Sequence, residues 1–171
     1  MSAGMQEPRW LDAEQQRAWR EFLRGSARVL DAIDHDLEAE TGLSLNEYEV
    51  MVRLSEVPGR TMRMSVLADN LVHSRSRLTH TVRRMEETGL VVRESCPDDR
   101  RGVNCRLTDA GFERLRSIAP GHVASVRRHL VDRLGPERMQ QLGAIMALLT
   151  DDEEDEADAA AHGRTRSTAP R

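Results

Sequence analysis

The chain alternates between apolar stripes at helical spacing and one short region where the period drops to that of a strand. Over residues 11–40, Trp19, Phe22, Leu23, Val29, Leu30, Ile33 and Leu37 recur every three or four positions, the mark of a long amphipathic helix. A lone helix of that length cannot hide its stripe. After Gly42 the run LSLNEYEVMVRLSEV opens a second helix, with Ser44 and Glu47 spaced as a capping box. PGRT at 58–61 is a turn. A short third helix over 64–72 carries Val66, Leu67, Ala68 and Leu71 inward.

The segment HSRSRLTHTVRRMEETGLVV predicts a fourth helix, capped at Ser74 and stopped by Gly89 as the residue beyond its C-cap. Two helices joined by so few residues, the second with polar side chains near its start, fit a helix-turn-helix. Then LVVRESC and VNCRL, rich in β-branched residues, flank PDDRRG, so 90–107 forms a β-hairpin with that hexapeptide as its long tip. LTDAGFERL starts a further helix capped by Thr108 or Asp109, interrupted at Pro120 and Gly121 and running to about 134. Phe112, Leu115, Val123, Val126 and Leu130 form its apolar seam. A last helix has Pro136 in its first turn and Met139, Leu142, Ile145, Met146 and Leu149 inward.

The fold class is therefore mainly α with a small β-wing: a winged helix-turn-helix over 44–108, flanked by long helical segments at 11–42 and 109–150. Residues 1–10 are a flexible lead-in. Residues 151–171, with DDEEDE, an alanine-rich patch and a short basic end, are expected to be disordered. No run of eighteen apolar residues spans a membrane, and the first residues lack a signal-peptide core, so a soluble, cytoplasmic chain is expected.

Charge changes the picture more than composition does. All 25 basic residues are arginine, and the net charge is −4. From Arg60 to Arg106, however, ten arginines face six acids, a local excess of four positive charges. At 100° per residue, Leu78, Val82 and Met85 fall within about 60° of arc and make the buried side of the fourth helix. Ser76, Arg77, His80, Arg83 and Arg84 then point outward, with Arg75 and Thr79 on the flanks. Such a face suits the major groove of double-stranded DNA, where arginine reads guanine edges and hydroxyls bond bases or phosphates. Arg100 and Arg101 at the hairpin tip suit the minor groove, where the potential is most negative. Asp98 or Asp99 can hold a guanidinium there by a forked ion pair.

These residues resemble the multiple antibiotic resistance regulator (MarR) family of bacterial transcription factors, over 11–149. The most specific run is LADNL..S.S.LT..V..ME..GLV.R…DDRR…..LT..G across 67–111. The resemblance implies a homodimer with entwined N- and C-terminal helices, two winged helices on a pseudo-palindromic operator, and a small-molecule effector whose contacts vary too much to transfer. Redox-sensing relatives carry a reactive cysteine in the first helix, which this chain lacks.

Other residues receive plainer readings. Trp19 and Phe22 belong to the dimer core. Cys96 and Cys105 face each other if the hairpin turns symmetrically between Arg100 and Arg101, and packing rather than a redox clamp is their expected use. His35, His122 and His129 lack metal-site company, so no metal or cofactor is expected. No nucleophile and base, phosphate loop or metal spacing marks an enzyme. The expected function is a sequence-specific DNA-binding regulator, more often repressor than activator. A winged helix used as a protein-interaction module, with the acidic tail engaging a partner, is the alternative.

Overall fold

The computed structural model describes residues 8–71, 75–96 and 99–149, with backbone alone at 70, 75 and 99–101. Two compact units divide the chain, one up to His129 and one from Leu130 onward. In the first, helix α1 (Ala13–Thr41) starts at Asp12, whose carboxylate accepts from the N–H groups of Glu14 and Gln15, and stops at left-handed Gly42. Helix α2 (Leu45–Ser55) carries the expected capping box between Ser44 and Glu47. Helices α3 (Met64–Asn70) and α4 (Arg75–Glu87) follow, then strands β2 (Val91–Cys96) and β3 (Asp99–Leu107), and helix α5 (Asp109–Val126).

A strand that the periodicity did not reveal, β1 (Thr61–Arg63), precedes α3 and makes the sheet three-stranded, antiparallel, in the order β1-β3-β2. Two consecutive positive φ angles, at Gly59 and Arg60, turn the chain into it. The Arg60 guanidinium lies 3.7 Å from the centre of the Phe112 ring and 3.1 Å from the Asp109 carboxylate, a cation–π contact and an ion pair that fasten this turn to α5.

The core gathers Leu37 of α1, Met51 and Leu54 of α2, Leu67 of α3, Leu78, Val82 and Met85 of α4, Val91, Cys105 and Leu107 of the sheet, and Leu115 and Ile118 of α5. Val66 was expected inward but is 45% exposed. On so short a helix Leu67, Ala68 and Leu71 already occupy the buried side at i, i+1 and i+4, and Val66 lies 100° outside that arc. Pro120 does not interrupt α5 either; the missing N–H removes one ladder bond, and buried Leu115 and Ile118 on one side and Ser125 on the other hold the axis. The irregularity comes later, as a π-helical stretch at Arg127–Val131.

The segment LTDAG has a structural meaning. Thr108 caps α5 by accepting the Gly111 N–H at 2.9 Å, while its hydroxyl donates to the Gly89 carbonyl at 2.7 Å. Gly111 is buried directly on the Leu90 carbonyl, so a side chain has no room there. The end of α4, the wing and the start of α5 are thus bolted at one point. In the second unit, helix α6 (Asp132–Ala147) bends at Gly135 (φ 73°) and continues with Pro136 in the first turn after the bend.

Candidate nucleic-acid interface

Helix α4 buries Leu78, Val82 and Met85 and exposes Ser76, Arg77, Thr79, His80, Arg83 and Arg84, as its periodicity requires. On the helical wheel, Ser76, His80 and Arg83 lie opposite the core, while Arg77 and Arg84 form the edge toward α2. Among the described residues, no ion pair or side-chain hydrogen bond engages Arg77 or His80. Arg83 sits 3.6 Å from Glu87 in a pair exposed on both sides, which leaves its guanidinium free to swing. Arg84 lies 3.5 Å from buried Glu47 of α2.

Ser74 and Asp98 lie outside the described residues. Arg75 opens α4, and Asp99, Arg100 and Arg101 belong to the backbone of β3; none of these four side chains is described. Placing 99–102 in the strand shortens the expected tip, and the register corrects the cysteine geometry. Val91 pairs with Leu107, Arg93 with Cys105 and Ser95 with Val103, and a register shift then sets Cys96 opposite Asp99. The hairpin therefore does not turn between Arg100 and Arg101, and Cys96 does not face Cys105. Both thiols are free. Burial pushes Cys105 up to about 12, which keeps it an unreactive thiol in the core. Cys96 accepts from Arg63 Nη2 at 3.4 Å at the far end of β2.

The wing is braced by carboxylates that sequence reasoning missed. Glu86, in the last turn of α4, accepts from the Arg93 backbone N–H at 2.9 Å and from its guanidinium at 2.9 and 2.7 Å. Those bonds hold the Glu86 carboxyl below the usual range. Within the sheet, Arg106 donates twice to Glu94 at 3.0 and 2.7 Å. No linear pattern announces either pair: Glu86 and Arg93 meet only once Gly89 has turned the chain back, and Glu94 and Arg106 only once β3 pairs with β2. Glu47 carried a signal, its capping-box spacing, but that spacing does not show its contact with α4.

Away from this face, Asp36 of α1 gathers Ser125, Arg128 and His129 at 2.6, 2.7 and 2.7 Å, tying α1 to the end of α5. A cavity of about 340 Å³ lies between α2 and α5, lined by Tyr48, Val52, Leu71 and His122, with Glu49, Arg53 and Glu56 at its rim. The Tyr48 and His122 rings pack at 4.1 Å, burial lowers the His122 pKa, and His122 Nδ1 is buried without a hydrogen-bond partner among the described residues. No group of three or more metal-ligating side chains occurs among the described residues. No described helix is long and apolar enough to cross a membrane.

The MarR family model matches residues 41–102, from the end of α1 into the first residues of β3. The crystal structure of Sco3205, a MarR family transcriptional regulator from Streptomyces coelicolor, in complex with DNA, is 44% identical. The match covers 85% of this chain and 91% of that one, with a TM-score of 0.80. The chain belongs to the MarR family. AbsC, a MarR family transcriptional regulator from the same organism, is 42% identical over 86% of this chain and 99% of that one, with a TM-score of 0.77. Among curated proteins, the HTH-type transcriptional regulator PecS of Dickeya dadantii is 29% identical, covering 72% of this chain and 74% of that protein. In this MarR-family chain the described residues supply the winged-helix elements: α3 and α4 of the helix-turn-helix, β2 and β3 of the wing, and β1 as the third strand.

Proposed function

We propose that this chain is a sequence-specific DNA-binding transcriptional regulator, a repressor, which acts in the cytoplasm as a homodimer on a pseudo-palindromic operator. The observation that carries this reading is the outward face of α4, where Arg77, His80 and Arg83 are exposed on a helix whose other side is locked into the core. That DNA is bound by the 44%-identical Sco3205 supports it.

In this reading Arg77, His80, Ser76, Thr79 and Arg83 enter the major groove, Arg75 and Ser74 meet the backbone at its edge, and Arg100 and Arg101 reach the minor groove with Asp98 or Asp99 steadying them. Two copies are needed, because Trp19, Phe22, Leu23, Leu30 and Val123 expose large apolar surfaces along α1 and α5 that a lone chain leaves wet. A small effector fits the cavity between α2 and α5, where Tyr48 offers an aromatic wall and His122 an unsatisfied ring nitrogen. Filling it biases the helices that set the spacing of the two recognition elements. The chain acts by binding, not by catalysis.

The test is a titration of the duplex recovered from a random pool by the wild-type protein, at several salt concentrations. Arg83→Ala and Arg101→Ala each weaken binding and lower the salt slope by about 0.9 for each phosphate no longer neutralised. Unchanged affinity and slope in both variants overturn the assignment. Recovery of no inverted repeat favours the protein-interaction module.

A further inference from the structure

Glu47 is a carboxylate in an expensive place. It is 4% exposed, and its Oε2 already accepts from the backbone N–H of Ser44 at 2.9 Å and from its hydroxyl at 2.8 Å. A capping box does not need the charge, since glutamine at the same position accepts the same N–H. Burying a carboxylate is costly unless a cation answers it. Here the Arg84 guanidinium of α4 answers it, 3.5 Å from Oε1.

The Arg84 side chain stays 56% exposed, so it pairs with Glu47 through Nη2 and still offers more than half of its surface to solvent. Arg84 follows Arg77 by seven residues, two turns along the same edge of α4. Arg83, one residue earlier, contrasts with it: its carboxylate partner is 65% exposed and belongs to the same helix, so that pair positions nothing relative to the rest of the fold. A planar fork held on one side gives up less rotamer freedom when its open N–H groups meet an anion. We propose that Glu47 is a positioning residue of operator binding. It holds Arg84 at the α2 edge of the recognition helix so that the guanidinium meets a backbone phosphate in one fixed orientation. This rests on α4 being the recognition helix.

The charge change gives the test an unambiguous sign. Neutralising a carboxylate beside a polyanion should by itself tighten binding; releasing Arg84 should loosen it. The probes are the duplex recovered by wild-type protein from a random pool and a scrambled duplex of equal length and composition. Glu47→Gln is expected to weaken binding to the recovered duplex roughly five- to tenfold, a fraction of what a charge-assisted hydrogen bond is worth. Binding to the scrambled duplex should be unchanged or tighter, with the melting temperature close to wild type. In an Arg84→Ala background the same substitution should weaken nothing further. Should Glu47→Gln fail to fold, Arg84→Lys, which keeps the charge and loses the fork, is expected to show the same loss. A Glu47→Gln protein, or in its place Arg84→Lys, that binds the recovered duplex as tightly as wild type overturns the proposal. Failure of the wild-type protein to recover any inverted repeat overturns the functional reading itself, and this proposal with it.

Discussion

Replacing Trp19 by alanine should break the proposed self-association that would pair two recognition helices. In one chain Trp19 is 51% and Phe22 41% exposed, their rings stacked at 5.8 Å, and Leu23 and Leu30 continue the stripe at 46% and 54%. A large aromatic side chain offers roughly 150–250 Å² for burial, so the exposed half of Trp19 leaves on the order of 100 Å² for a partner. At about 25 cal/mol per Å² this is roughly 2.5 kcal/mol per copy, and about 5 kcal/mol for both copies in a symmetric dimer. Alanine keeps a Cβ and the interface relaxes around it, so about 3 kcal/mol is the safer figure, or roughly a 100-fold rise in the dimer dissociation constant. Sedimentation equilibrium over a concentration series measures it directly. Operator affinity should fall alongside, because one molecule no longer engages both half-sites. A dimer constant within about threefold of wild type refutes the reasoning, as does a wild-type chain that sediments as a monomer at every concentration.

Two further perturbations probe the frame that carries α4. In Gly111→Ala the new methyl group would overlap the Leu90 carbonyl oxygen and lie 2.7 Å from Leu107 Cδ1. Backbone cannot step aside there, so a cost on the order of 3 kcal/mol and a melting temperature lower by several degrees are expected. Gly143→Ala, with nothing within 4 Å, serves as the control, and equal melting of the two variants would refute the account. The second perturbation is Asp36→Asn. Hydrogen bonds from Ser125 and His129 lower the Asp36 pKa from 3.8 to about 2. A depressed carboxylate contributes stability that is fully present above its unfolded value and lost as pH falls through the folded one. The stability gap between wild type and Asp36→Asn should therefore hold above pH 3.8 and close toward pH 2, followed by denaturant midpoints across that range. A gap that stays constant down to pH 2 would show that the ionised carboxylate is not what ties α1 to α5.

What the sequence made legible was whatever a few consecutive residues decide among themselves. The capping box of α2, the left-handed stop at Gly89 and the two faces of α4 were all readable, because helical period and cap chemistry are local. Strand β1 was not, since three residues after a turn become a strand only by pairing with Asn104, Cys105 and Arg106, more than forty positions away. The wing register was misjudged for a related reason. Symmetry about Arg100 and Arg101 would set Cys105 against Cys96, but the regular ladder already pairs Cys105 with Arg93, and the shift between Ser95 and Cys96 then moves Cys96 opposite Asp99. Pro120 shows the opposite failure: a local breaker signal was overridden by buried residues on either side of it.

The arginines that first marked this lobe as basic turn out to have two jobs, and the carboxylates do the sorting. Arg60, Arg93 and Arg106 are committed to Asp109, Glu86 and Glu94, at separations near 3 Å, and they fasten the turn before β1, the wing and the sheet. Their charges are largely answered within the fold, so they add little to the field that a polyanion meets. Arg77 and Arg83, with His80, remain open on α4, and Arg84 is half open. For a chain of net charge −4 with three of these guanidiniums committed, the expected counterion release on arbitrary DNA is small. Its affinity must then come from a small number of cations set in fixed places by a rigid frame. Such an arrangement favours a high ratio of specific to non-specific binding over tight binding in general. The acids of this basic lobe thereby answer three of its guanidiniums with partners fixed in the fold, although those side chains stay partly exposed.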